Sequence, residues 1–186
     1  ELGHANKGMR TYFSVSGGFR TEEFFGSTAT VVREGIGGPL QVGQELFCGS
    51  ANDEQWALPM ESVPRYSDSV TLRLIPGYQF KQYSGAGHET LLGGSFKVSN
   101  RSDRMGCLLE GSLVESPVEE MLSEGICLGA VQVPPDGQPI VLLNDRQTIG
   151  GYPKLGSVLS LDLWKLAQCR PGAQARFELI SLEAAQ

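Results

Sequence analysis

The apolar runs of this chain are short, and most of them stop at glycine or proline. Residues 10–16 (RTYFSVS) run into Gly17-Gly18, and residues 28–33 end just before the turn at 35–39 (GIGGP). Residues 46–48, 70–75, 96–98 and 140–143 repeat the style, and residues 175–180 (ARFELI) alternate. Short β-branched and aromatic runs punctuated in this way pair as strands of a sandwich or barrel. Glycine, at 24 of 186 residues, is close to twice its usual share of roughly 7% and supplies the turns. Two helices are expected. Ser116-Pro117-Val118-Glu119 forms a capping box with proline at the first helical position, and Gly125 closes the turn that begins there. Asp162 caps a second helix over 163–169, which Pro171-Gly172 stops. The class is mainly β with two short helices. Residues 52–69, the most polar stretch, read as a linker or mobile loop.

Charge and cysteine placement exclude several functions. Lys+Arg 15 against Asp+Glu 21 gives a net charge of −6. An acidic chain is a poor candidate for binding nucleic acids or anionic membranes, since both require a basic face. No apolar run approaches the roughly 20 residues of a membrane-spanning helix, and the first ten residues lack the apolar core of a signal peptide. Cys48, Cys107, Cys127 and Cys169 form no Cys-x-x-Cys, and neither His4 nor His88 stands at ligand spacing from them, so no metal site is expected. Four scattered thiols suit a reducing compartment, and the chain is read as cytoplasmic. It has no phosphate-binding Gly-x-x-x-x-Gly-Lys loop, no Gly-x-Ser-x-Gly elbow and no lysine set between methionines for biotin.

Three polar clusters remain. The densest, Asn144-Asp145-Arg146-Gln147-Thr148-Ile149-Gly150-Gly151-Tyr152-Pro153-Lys154, follows an apolar strand. Its carboxamides suit an amide, urea or lactam group, and Asp145 suits a general base or the group that orients one. It reads equally as a polar hairpin with only local hydrogen bonds, although strand ends are also where sites are grafted. In the second, Ser99-Asn100-Arg101-Ser102-Asp103-Arg104-Met105-Gly106, Arg101 and Arg104 suit a carboxylate or phosphate unless Asp103 neutralises one in a surface ion pair. The third, residues 132–139 (QVPPDGQP), is a strand end and a Pro-Asp-Gly turn, with Gln132 as its candidate ligand contact. His88 reads as a solvated histidine of a glycine-rich loop over 84–94, Trp56 and Trp164 as packing residues, and Arg10 as a rim charge.

Taken in order, these clusters resemble the allophanate hydrolase subunit 2 family. That family includes the C-subunit of 5-oxoprolinase, the antagonist of the Kip kinase inhibitor, and a region of urea carboxylase. The block Asp145-Arg146-Gln147-Thr148 with Gly150-Gly151-Tyr152-Pro153-Lys154 carries the likeness, joined by residues 8–19 and 25–30 upstream and by Asp162-Leu163 and Arg170-Pro171-Gly172 downstream. Cys107 and Ile149 stand where the family pattern has Tyr and Thr. The resemblance implies a cyclophilin-like β-barrel, over 70–186; it does not run through residues 51–69, which are set down as the linker or mobile loop on their polarity. Residues 1–50 would then be a β segment completing a domain whose start lies upstream.

The resemblance further implies a subunit, inactive alone, of a bacterial ATP-dependent 5-oxoprolinase that opens the 5-oxoproline lactam to glutamate. Its implied partners are the Kip-inhibitor-like subunit 1 and a third, barrel-type subunit. ATP is used by the complex, and no cofactor is assigned to this chain alone. In residue terms, Asp145 and Lys154 are the expected proton-transfer or charge-stabilising groups. Arg101, Arg104, Gln132, Asn144, Gln147 and Tyr152 are the expected substrate contacts. A regulatory role as antagonist of a Kip-type histidine-kinase inhibitor and a carboxyltransferase component of a urea-carboxylase-type system are the alternatives.

Overall fold

A computed structural model describes residues 5–50, 57–117 and 121–186. It divides into two compact units, residues 1–11 with 64–186 and residues 12–63. The larger unit contains β1 (Ser69–Pro76), α1 (Gly85–Gly93), β2 (Phe96–Val98), β3 (Gly106–Glu110), β4 (Glu124–Gly125), β5 (Ala130–Gln132) and β6 (Ile140–Leu142). It continues through β7 (Ile149–Gly150), β8 (Lys154–Val158), α2 (Ser160–Ala167), β9 (Gln174–Leu179) and α3 (Leu182–Ala185). Seven strands close a barrel in the order β1-β8-β5-β6-β3-β2-β9, while β4 and β7 pair as a separate two-stranded ribbon. Closure comes from β1 running parallel to β9 in register from Ser69↔Gln174 to Leu74↔Leu179. The other barrel neighbours are antiparallel.

Period-two patterning fixes which face points inward. Val70, Leu72 and Leu74 of β1 are buried while their neighbours are not, and Ala175 and Phe177 repeat this on β9. They meet Phe96, Leu109, Val131, Val141 and Leu155 in one core. Each fully buried aliphatic side chain stabilises the fold by roughly 1.5–3 kcal/mol. Phe96 and Phe177 cross edge to face, with centroids 5.9 Å apart. A Cβ on Gly111 would come within 2.7 Å of the Phe96 ring, which explains glycine there.

Helix α2 supplies Leu163 and Leu166 to this core and is fastened to β1 by Asp162. The Asp162 side chain does not cap the helix as expected. It lies inside the first turn and accepts hydrogen bonds from Arg73. The glycine-rich segment expected to be a loop is helix α1, capped by Ser84 accepting from the Gly87 N–H. His88 lies on it, stacked 4.3 Å from Phe80, with Nε2 2.8 Å from the Phe80 carbonyl oxygen. The helix expected from Ser116 begins on residues 118–120, outside the described residues, and residues 121–123 beyond them are irregular rather than helical. From Glu124 to Gly125 the chain is a strand of the ribbon, not a helix end.

The described residues of 12–63 form turns and irregular segments rather than the expected strands. The described pairings are the isolated bridges Phe19↔Cys48, Phe24↔Ser27 and Val31↔Ile36, with short 3-10 turns at Val32–Glu34 and Met60–Ser62. Residues 10–16, read as a strand, are irregular. In the larger unit Arg10 is held through its backbone, with Gln168 accepting from its N–H at 2.8 Å, and its guanidinium donates to the Ala167 carbonyl.

Candidate functional site

The barrel has a second, smaller apolar cluster outside its core. Ile126, Ala130 and Leu142 pack together there with half-buried Ile140. Val131 and Val133 belong to the interior and Ala130 to this outer cluster; the β5–β8 register shifts between Val131 and Gln132, and the Gln132 amide also turns outward, toward Gly150. The β4–β7 ribbon, joined by Glu124↔Gly150 and Gly125↔Ile149, is linked to this face by Ile126. Gln132, next to Lys154 of β8 in the ladder, is 1% exposed. Its Nε2 is the one buried side-chain nitrogen or oxygen among the described residues without a hydrogen-bond partner. An orphaned donor of this kind costs about 1–3 kcal/mol, so its retention at a buried position calls for a reason.

Glycine at 150 is part of the same arrangement. A Cβ built there would lie 3.1 Å from Gln132 Nε2, 3.7 Å from Gln147 Nε2 and 2.6 Å from Ile126 Cδ1. Two carboxamides from separate clusters of the sequence therefore converge on one backbone position. Lys154 stands at the β8 end of this face. Its ammonium pairs with Glu124 at 2.9 Å and donates to the Gly125 carbonyl at 2.9 Å. Gln79 Nε2 also donates to Glu124, at 2.6 Å. The hydrogen bond from Lys154 holds the Glu124 carboxyl below its usual range, with Gln79 adding to the effect against partial desolvation. The sequence gives no sign of Glu124 or Gln79. Nothing local distinguishes Glu124 from other acidic residues, since only the ribbon brings it to Lys154.

Arg104 and Asp145 form a separate pair at the rim where β3 begins and β6 ends. Arg104 Nε lies 2.8 Å and Nη2 3.2 Å from the two Asp145 oxygens, and the Asp145 N–H donates to the Arg104 carbonyl at 3.0 Å. A fork of this kind fixes orientation as well as charge. Asp103 pairs with neither arginine. Its Oδ1 accepts from the Met105 and Gly106 N–H groups, shaping the turn into β3. Arg101 lies 3.7 Å from Glu110 on an exposed surface. Arg146 props the ribbon by donating to the Ile126 carbonyl at 3.3 Å. Asn144 and Tyr152 are exposed at the two ends of the loop.

The structure thus joins Gln132 with Gln147, and Arg104 with Asp145; it gives Lys154 a carboxylate partner and sets Arg101 apart. Two cavities lie elsewhere in the larger unit. One of about 250 Å³ has Tyr66, Thr71, Trp164 and Lys165 in its wall, and a smaller one of about 40 Å³ includes Arg10, Asp103 and Cys107. Among the described residues no cluster of three or more His, Cys, Asp and Glu is placed to hold a metal ion. None of their helices is long and apolar enough to cross a membrane.

A closed barrel with a carboxamide-bearing outer face under a two-stranded ribbon defines a class of domain. This chain belongs to the carboxyltransferase domain family, subdomains A and B, whose pattern matches residues 1–179. It is 34% identical over 183 residues to the 5-oxoprolinase C-subunit of Escherichia coli (strain K12), covering 96% of this chain and 58% of that one. To the 5-oxoprolinase C-subunit of Haemophilus influenzae it is 37% identical over 191 residues, covering 100% of this chain and 60% of that one. The chain thus spans about three-fifths of the length of these relatives. The solved structure of Kluyveromyces lactis urea carboxylase shares the fold, with a TM-score of 0.82 over 92% of this chain and 18% of that one, at 24% identity. The family resemblance drawn from the motifs therefore holds.

Proposed function

We propose that this chain acts as part of the C-subunit of an ATP-dependent 5-oxoprolinase, opening the 5-oxoproline lactam to glutamate together with partner subunits. The observation that carries this reading is the identity of 34–37% to two proteins of that name, over 96–100% of the chain. An unactivated lactam resists water. ATP, assigned to the complex rather than to this chain, supplies the phosphoryl group that makes the carbonyl oxygen a leaving group. Water then adds at the lactam carbon, the ring C–N bond breaks as nitrogen takes a proton, and a second water releases phosphate from the acyl phosphate.

Within that scheme Gln132 and Gln147 offer amide donors to the lactam, and the Lys154 ammonium offers charge stabilisation beside them. Asp145 is the proton acceptor, oriented by the Arg104 fork. Asn144 and Tyr152, at the exposed ends of the loop, complete the substrate contacts, and Arg101, beside Glu110 on an exposed surface, stands outside them. The subunit 1 protein and a third, barrel-type subunit are its partners, and the complex works in the cytoplasm.

The test is a gene deletion. Cells lacking the full-length protein should stop consuming 5-oxoproline, and the wild-type gene should restore consumption while Asp145→Ala with Arg104→Ala does not. Restoration by that double variant would remove both residues from the mechanism. Unchanged consumption in the deletion strain would remove the enzymatic reading.

Carboxyl transfer to a urea-like amide is the second reading, favoured by the family to which residues 1–179 belong. It predicts that turnover requires bicarbonate and a biotinylated partner, whereas lactam opening requires neither.

A further inference from the structure

The unpaired Gln132 amide has a physical setting that the lactam reading alone does not explain. Its Nε2 is sealed from solvent, so no ligand reaches it while the ribbon is seated. The ribbon itself is a slight element. Each strand is two residues long, Gly125 and Gly150 lie in it, and Gly151 follows it. Two strands of that length do not support themselves in water. What seats them is Ile126 against Ala130 and Leu142, the Lys154 contacts to Glu124 and Gly125, and the Arg146 bond to the Ile126 carbonyl. The barrel beneath closes through its own seven strands, none of which pairs with the ribbon. The ribbon can therefore leave without breaking a barrel hydrogen bond.

The chemistry around the amide selects its ligand. An N–H donor needs an oxygen, and a second carboxamide nitrogen, that of Gln147, lies beside the same position. Glu124 and Lys154 neutralise each other beside it, so no net charge calls for an anionic oxygen, and Ala130, Leu142 and Ile140 of the barrel offer an apolar wall. A neutral carbonyl attached to a small apolar ring or chain fits these groups.

We propose that the β4–β7 ribbon is the lid of a concealed carbonyl site, in which Gln132 Nε2 donates to the carbonyl oxygen of a small amide once the ribbon lifts. The ligand half of this proposal rests on the amide-substrate reading above, and the motion of the ribbon does not. A site of this kind is a minor open state made dominant by its ligand.

Hydrogen–deuterium exchange on the full-length protein tests it, with 2-pyrrolidinone and 5-oxoproline as probes. Amides at 124–126 and 148–150 should exchange roughly a hundredfold or more faster than those of β5 and β6, and the lactams should slow them. Gln132→Leu replaces the orphaned donor by an apolar group. It should slow ribbon exchange in the absence of ligand and weaken protection by 2-pyrrolidinone about tenfold. Gly150→Ala, whose Cβ meets Ile126 Cδ1 at 2.6 Å, should speed ribbon exchange and leave the barrel strands unchanged.

Ribbon exchange as slow as that of β5 and β6 overturns the lid. A Gln132→Leu protein with faster ribbon exchange and a lower melting temperature overturns the orphaned amide. A ribbon unaffected by either lactam overturns the carbonyl ligand, even where cells consume 5-oxoproline. Protection by 2-pyrrolidinone in a protein whose deletion leaves 5-oxoproline consumption intact supports the site and removes only the proposed activity.

Discussion

Asp162 is the electrostatic pin of the barrel, and its replacement by asparagine has an effect that the structure sizes. The carboxylate is 1% exposed and accepts four hydrogen bonds. They come from the Arg73 N–H at 3.1 Å, Nε at 2.8 Å and Nη2 at 2.9 Å, and from Lys165 Nζ at 2.9 Å. Burial alone pushes its pKa up, but the bonds from Arg73 and Lys165 outweigh burial and hold it down to about 2, against an ordinary 3.8. That gap corresponds to about 2 kcal/mol of folding stability. Because the folded value is depressed, the stabilisation is complete above the unfolded value near 4 and disappears as pH falls toward 2. Asp162→Asn keeps the shape and removes the charge. It should lower stability by about 2 kcal/mol at pH 7, or the melting temperature by roughly 4–8 °C for a chain of this size. Thermal and urea unfolding at pH 7, 5 and 3 measure this directly. The gap between wild type and variant should narrow steadily below pH 4. An unchanged melting temperature, or a gap of equal size at pH 7 and pH 3, refutes the reasoning.

Other outcomes follow from packing. Gln168 accepts from the Met9 and Arg10 N–H groups and donates to the Arg10 carbonyl, so Gln168→Ala should release residues 8–10, read as faster proteolysis near the start of the chain. Cys48 and Cys127 are exposed while Cys107 and Cys169 are buried. Burial pushes the Cys107 thiol up to about 11, so at pH 8 a thiol reagent should label the first two rapidly and the other two only after unfolding. Lys154→Met should let the Glu124 carboxyl rise toward its ordinary range, because the ammonium is the main influence holding it low. Titration of that carboxyl by NMR shows the rise, and no change would mean that the Lys154–Glu124 contact is absent in solution.

The barrel is largely legible in the sequence because its information is local. Val70, Leu72 and Leu74 alternate with polar neighbours, and Ala175 and Phe177 do the same, so period two announces both strands. The N-terminal segments carry the same composition but become turns, since composition does not show which edge a strand can pair with. Helix α1 is masked by Gly85, Gly87 and Gly93, although Ser84 is there to cap it. Asp162 stands out in the sequence, but for a local role. Its partner Arg73 is 89 positions away, and a tertiary ion pair leaves no spacing to read.

At the candidate site, residues near in sequence are easily grouped. Joining Arg104 with Asp145, and Gln132 with Gln147, requires the register of the barrel and the ribbon. Glu124 and Gln79 leave no signal, because Glu124 acts through Lys154 and Gln79 through Glu124.

The central claim is best tested by reconstitution. The full-length protein, purified with its neighbouring subunits, is given ¹³C-labelled 5-oxoproline and followed by NMR with and without ATP. The account predicts labelled glutamate only when ATP and this protein are both present, with ADP and phosphate released in step and no need for bicarbonate or biotin. Unaltered 5-oxoproline in the complete mixture, or glutamate formed equally well without this protein, would contradict it.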